Sequence, residues 1–183
     1  MIVGAQSVPR PVTVDEYERI PDPPGGRYEL HHGEVAFVTF PVRQHKELQR
    51  RLRRMLEASP GAEYYIVETE FPYSPLAENE VWGADVACVS GVRYDVIEKW
   101  LEGSPELVIE VKSPSNTKAE MHDKAMTTLA GAGAVEFWVV DAETRTVLVH
   151  RKSSGMRVYG VDEAVPVLIF GSRIVLSELF VGV

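Results

Sequence analysis

Glu106-Leu107-Val108-Ile109-Glu110-Val111-Lys112, closed by Ser113-Pro114-Ser115, is the stretch on which the architecture turns. It is short, apolar and rich in β-branched residues, and it reads as a central strand over 106–112 that meets a loop. Successive side chains of a strand point to opposite faces. Leu107, Ile109 and Val111 therefore share one face, and Val108, Glu110 and Lys112 the other. Two ionisable groups thus stand together on a strand whose own sequence says that it is buried. Charge is costly there unless it is paired or bound to a metal, which makes Glu110 and Lys112 informative.

Before this strand, further strands are expected at 63–68, 70–74 and 84–90, with a Pro- and Asn-containing loop at 75–80. Asp85 opens the run Asp85-Val86-Ala87-Cys88-Val89. If that strand pairs with 106–112, the carboxylates of Asp85 and Glu110 meet. Together with the backbone carbonyl of Val111 they are the hard oxygen ligands that Mg²⁺ or Mn²⁺ prefers, with water in the remaining positions. Lys112 could then deprotonate or orient a metal-bound water, while the ion stabilises charge that builds up on a phosphodiester. The alternatives are a buried Glu110–Lys112 salt bridge without metal, and a strand-end carboxylate at Asp85.

The rest of the chain surrounds these strands. Thr13 and Glu16 form a capping box for a short helix over 14–20, which PDPPGG at 21–26 stops. Arg27 to Leu30 and Glu34 to Phe40 flank the turn His31-His32-Gly33 as a hairpin. Over 44–58 the period changes: Leu48, Leu52, Met55 and Leu56 make one apolar helix face, while Lys46, Arg50, Arg53 and Arg54 lie mostly on the others. That basic face is either an ordinary solvated surface or a seat for several phosphates. A helix over 118–130 ends at Gly131-Ala132-Gly133, a helix stop and not a cofactor loop. Strands at 135–141, 146–151, 156–161 and 165–169 complete an α/β fold, a mixed β-sheet flanked by helices with an N-terminal helix and hairpin. His31 and His32 read as solvated turn residues, His45 as helix-entry packing or a phosphate neighbour, and His122-Asp123 as surface.

A length of 183 residues, 45% of them hydrophobic, suits one domain over 1–183. A formal charge of −8 argues against broad adhesion to nucleic acid, although a site needs only local positive charge. Cys88, in an apolar run, reads as a buried thiol of a reducing compartment. Without a long apolar run or a basic-then-apolar leader, the chain reads as cytoplasmic, with no membrane partner. No G-x-S-x-G frame surrounds Ser113 or Ser115.

Asp85 followed by Glu110-Val111-Lys112 matches the PD-(D/E)XK nuclease signature, and the wider frame resembles the Uma family of bacterial restriction-endonuclease-like proteins. The matching segments are RYELHHGEV at 27–35, His45 at a helix start, ADVACVS at 84–90, LVIEVKSPSNTKAEMHDK at 107–124 and GAGAVEFWVVD at 131–141. The resemblance implies a restriction-endonuclease-like fold, Asp85 and Glu110 as metal ligands, Glu29 as a further acidic residue near the metal, and Lys112 as the signature lysine. Ala84 stands where the motif has proline. Many members lack the lysine of the signature while one matching Lys124 recurs, so Lys112 is favoured for catalysis with Lys124 as a second contributor. The implied function is a Mg²⁺- or Mn²⁺-dependent endonuclease acting on DNA, with a homodimer as the arrangement in which two sites address two strands. The alternatives are a catalytically inactive nuclease-fold module that binds a protein partner, and a hydrolase of smaller phosphate esters.

Overall fold

The computed structural model describes residues 10–114 and 116–182. The stretch read for a leader, residues 1–9, and Ser115 of the loop after the central strand lie outside the described residues. The strand read from ELVIEVK is β6 (Leu107–Val111), and all five of its residues are buried. It is the middle strand of a seven-stranded sheet ordered β5-β3-β4-β6-β7-β8-β9, antiparallel to β4 (Trp82–Ser90) and parallel to β7 (Glu136–Asp141). A strand covered on both faces has no use for alternation of polar residues, which is why its sequence is an apolar run. The outer strands are β3 (Tyr65–Ser74) and the two-residue β5 (Leu101–Glu102) on one side, and β8 (Thr146–Arg151) and β9 (Gly155–Tyr159) on the other.

Two layers cover this sheet. On one face α2 (Arg43–Glu57) buries Leu48, Leu52 and Leu56 fully against Val86, Ile109 and Trp138. Burial of each leucine contributes roughly 1.5–3 kcal/mol. The same layer takes in the hairpin of β10 (Ala164–Val167) and β11 (Ser172–Val175), and α5 (Leu176–Leu179). On the other face α4 (Lys118–Ala130) packs Ala125 and Leu129 against Val108, Phe137 and Val139. Its start is a capping box, Thr117 with Glu120. Among the described residues, no helix is long and apolar enough to cross a membrane.

The N-terminal elements follow the sequence. Helix α1 (Val14–Tyr17) carries the Thr13–Glu16 capping box but closes before residue 20, in keeping with Pro21, which disfavours helical backbone at Ile20. Strands β1 (Gly26–His31) and β2 (Glu34–Thr39) pair antiparallel across His32 and Gly33, whose φ angles of 52° and 77° are the pair of positive values that a tight hairpin turn needs. A short helix α3 (Gly91–Tyr94) follows β4.

One expectation is corrected. The strands placed at 63–68 and 70–74 are the single strand β3, which continues through Glu70 at φ 54°. Thr69 pairs with Val86 and Phe71 with Ala84, while the intervening Glu70 and Asp85 make no ladder pair. At that point both strands change face. Val67, Val86 and Cys88 lie in the core under α2, whereas Phe71, Tyr73, Trp82 and Ala84, which strict alternation would keep with them, lie in the core under α4.

Candidate active site

The face change leaves a gap at the end of two central strands, and the candidate site fills it. β4 and β6 pair residue by residue as far as Val86 with Ile109. Beyond that, the Asp85 carboxylate takes over: Oδ2 accepts the Val111 backbone N–H at 2.7 Å. The N–H and carbonyl of one strand residue point to the same side, so the Val111 carbonyl is directed toward Asp85 as well. Asp85 Oδ1 accepts a hydrogen bond from Gln49 Nε2 at 2.9 Å and lies 2.9 Å from His45 Nε2. His45 and Gln49 are one turn apart on α2, beside the leucines that anchor it. Gln49 also donates to Glu70, so one amide holds two carboxylates.

Glu110 projects to the α4 side. Lys124 of α4 places Nζ 3.0 Å from Glu110 Oε1, donates to the Gly83 carbonyl at 2.8 Å and lies 5.6 Å above the Trp82 ring. Glu110 Oε1 is buried without a well-directed hydrogen bond. Burial raises the Glu110 pKa and outweighs the opposing pull of Lys124, and Asp85 and Glu29 add to the rise. Burial alone would lower the Lys124 pKa, but Glu110, Glu29, Tyr73 and Asp85 together push it up, so its side chain is an ammonium.

Glu29 of β1 comes from the hairpin. It accepts from Arg27 Nη2 at 2.9 Å and lies 2.8 Å from His31 Nε2. Burial acts to raise its pKa, yet the charge of Lys124, with His31 and Arg27, brings it down to about 2. Arg27 also bonds Glu70. The pair Arg27–Glu29 lies so close over Gly83 that a Cβ there would meet Arg27 Nη2 at 2.2 Å and Glu29 Oε1 at 2.8 Å.

Lys112 goes elsewhere. Strand alternation puts it beside Glu110, but β6 ends at Val111 and Lys112 Nζ pairs with Asp141 Oδ2 at 2.7 Å, half-buried at the ends of β6 and β7. The hydrogen bond to Asp141 raises its pKa. The lysine that meets Glu110 is Lys124. The turn histidines are not simply solvated either. His31 packs at a tilt against Trp82, 4.6 Å between ring centres, and His32 spans Glu80 and Asp123, each at 2.7 Å. Its bond to Asp123 raises its pKa. The arginines of α2 are paired rather than free: Arg50, Arg51 and Arg54 share Glu47, and Arg53 pairs with Glu57 and Glu68. Cys88 is buried, and burial pushes its thiol pKa up, which suits an inert core residue.

The donors suit a hard divalent cation. Among the described residues, no three or more His, Cys, Asp or Glu side chains are grouped to hold a metal. Asp85 and Glu110, with the Val111 carbonyl, are the oxygen donors that would hold such an ion, with water completing an octahedral Mg²⁺ site.

The sequence profile of a family described as Uma2, "Putative restriction endonuclease", matches residues 14–181. Among solved structures the chain is similar to one described as a "putative nuclease belonging to DUF820" from Anabaena variabilis, with a TM-score of 0.79 and 19% identity over 93% of this chain and 98% of that one. At that identity the likeness speaks for the fold, a mixed sheet flanked by helices as the sequence implies. No curated protein sequence matches the chain.

Proposed function

Since the chain belongs to the Uma2 family of restriction-endonuclease-like proteins, we propose that it is a divalent-cation-dependent endonuclease that hydrolyses phosphodiester bonds of DNA. The observation that carries this reading is the placement of Asp85 on the Val111 N–H and of Lys124 on Glu110, one residue apart on β6, where β4 and β6 part. Asp85, Glu110 and the Val111 carbonyl are the residues that would hold Mg²⁺ or Mn²⁺, and such an ion supplies Lewis acidity toward a phosphoryl oxygen and toward bound water.

The chain's own groups do the rest. Asp85 is fixed in place by the Val111 N–H and by Gln49, so its carboxylate needs no reorganisation to ligate. Lys124, an ammonium at neutral pH, offers a donor and a positive charge to a phosphate oxygen; it is not a base. Lys112, held by Asp141 at the strand end, stands as the second cation for the substrate backbone. Glu110 and, after it, Glu29 keep Lys124 charged against its burial. Supercoiled plasmid with Mg²⁺ or Mn²⁺ tests the proposal: nicking by the wild type that Asp85→Asn, Glu110→Gln and Lys124→Met abolish supports it, and nicking that survives all three overturns it. A homodimer, with two sites for two strands, predicts double-strand breaks and a two-fold mass in sedimentation.

The Lys124–Glu110 ion pair favours a second reading, because it already neutralises Glu110 without metal. In that case the fold is a non-catalytic module that binds a protein partner. No Mn²⁺ binding in calorimetry and no cleavage of any DNA or RNA would select it.

A further inference from the structure

Between β2 and the first turn of α2 runs Phe40-Pro41-Val42-Arg43-Gln44-His45-Lys46. Phe40 is 63% exposed and Val42 72% exposed, a large aromatic and an apolar neighbour left in water. From Phe40 to Lys46 there is no acidic residue, in a chain whose formal charge is −8. Arg43 and Lys46 are exposed and, among the described residues, enter no ion pair, whereas the arginines further along α2 are tied to Glu47, Glu57 and Glu68. His45, between these two cations, turns inward and reaches Asp85 at 2.9 Å. An exposed ring and two free cations therefore lie in continuous chain with the candidate active site.

We propose that this strip is a platform for an unpaired stretch of nucleic acid: Phe40 stacks on a base, and Arg43 and Lys46 hold the flanking phosphates. The proposal rests on the nuclease reading of the site and names its substrate class, single-stranded DNA or a single-stranded segment within duplex. Charge decides between single strand and duplex. Non-specific duplex binding draws on many phosphate contacts, and the arginines further along α2 that would supply them are engaged with Glu47, Glu57 and Glu68. A ring that stacks on one exposed base needs few such contacts, and it works with any base, since every base has a π-face. Bases inside a duplex are stacked on each other and do not offer that face.

Fluorescence anisotropy with a labelled oligo-dT 20-mer and a duplex of the same length, in EDTA so that nothing is cut, tests this. The single strand is expected to bind at least tenfold more tightly. Phe40→Ala lowers that affinity by about 5- to 100-fold and leaves duplex binding unchanged. Phe40→Trp retains binding, and its emission is quenched by oligo-dT. Arg43→Ala and Lys46→Ala each lower the slope of log K against log salt by about 0.7. Equal or tighter binding of duplex, no binding of either, or an unchanged affinity in a Phe40→Ala protein of wild-type melting temperature overturns the proposal. So does a dimer in sedimentation that Phe40→Ala dissolves without altering oligo-dT affinity, since the strip is then an interface between copies of this chain. The two readings fail separately: Asp85-dependent nicking without single-strand binding defeats only the platform, and Phe40-dependent binding without cleavage defeats only the nuclease.

Discussion

Glu110 and Glu136 lie on adjacent strands, β6 and β7, and both are buried, at 8% and 0% exposure. Glu136 is saturated. Its Oε1 accepts from Arg151 Nε at 2.8 Å and its Oε2 from the Leu168 N–H at 2.7 Å, and Arg151 goes on to bond the Pro166 carbonyl. That carboxylate is a rivet which holds the β10–β11 hairpin on the sheet. Among the described residues Glu110 faces Lys124 alone, at 3.0 Å from Oε1 and without well-directed hydrogen-bond geometry, and its pKa is raised first of all by burial. Burial alone does not mark a functional carboxylate. Burial with unused hydrogen-bonding capacity does.

Glu110→Gln breaks the comparison most sharply: nicking is expected to fall about a thousandfold or more, while Glu136→Gln leaves the rate per folded molecule unchanged. Urea unfolding should give the opposite order. Glu136→Gln weakens a fully buried carboxylate's bonds to Arg151 and the Leu168 N–H and costs about 1–3 kcal/mol, whereas Glu110→Gln is milder because Lys124 keeps Gly83 and Glu29. If the two variants behave alike in both assays, the distinction between them is lost.

Glu29 is the intermediate case, saturated like Glu136 but beside Glu110. Its folded pKa of about 2 lies below the ordinary 4.5, so the stability that it contributes is complete above pH 4.5 and disappears as the pH falls to about 2. Glu29→Gln is therefore expected to lose on the order of 3 kcal/mol at pH 7, with the gap to wild type closing between pH 4.5 and 2 in chemical denaturation. A gap that stays constant over that range would remove Glu29 from the charge network. The smallest effect is that of the ion itself. Mn²⁺ at a hundred times its Kd should stabilise the wild type and Glu136→Gln by about 2.7 kcal/mol and leave Glu110→Gln unaffected.

The sequence made β6 and α2 legible because each has a strong period or an unbroken apolar run, and the capping boxes and the His32–Gly33 turn carry local chemistry that needs no tertiary context. Asp85 and Glu110 were readable as acids on buried strands. Glu70 was not. A glutamate at φ 54° has no sequence signature of the kind that glycine or asparagine gives, so strict alternation hid the face change at its side. Gln49 left a fainter trace: it is a polar residue only 4% exposed between Leu48 and Leu52, one turn after His45. The helix ion pairs could have been drawn on paper, since Glu47 and Arg51, and Arg53 and Glu57, stand four apart on a helix. Lys124 lay beyond strand logic, because it reaches β6 from α4 and only packing brings the two together. β11 and α5 are four residues each, too short for any period to declare them.

The face change of β3 and β4 has a thermodynamic consequence. Each of these strands contributes side chains to both the core under α2 and the core under α4. Neither layer can melt without pulling on strands that the other layer grips. Heat and denaturant should therefore dismantle both cores in one cooperative transition, with coincident midpoints by tryptophan fluorescence and circular dichroism. The crossing at Glu70 and Asp85 would be the knot that makes two cores yield as one.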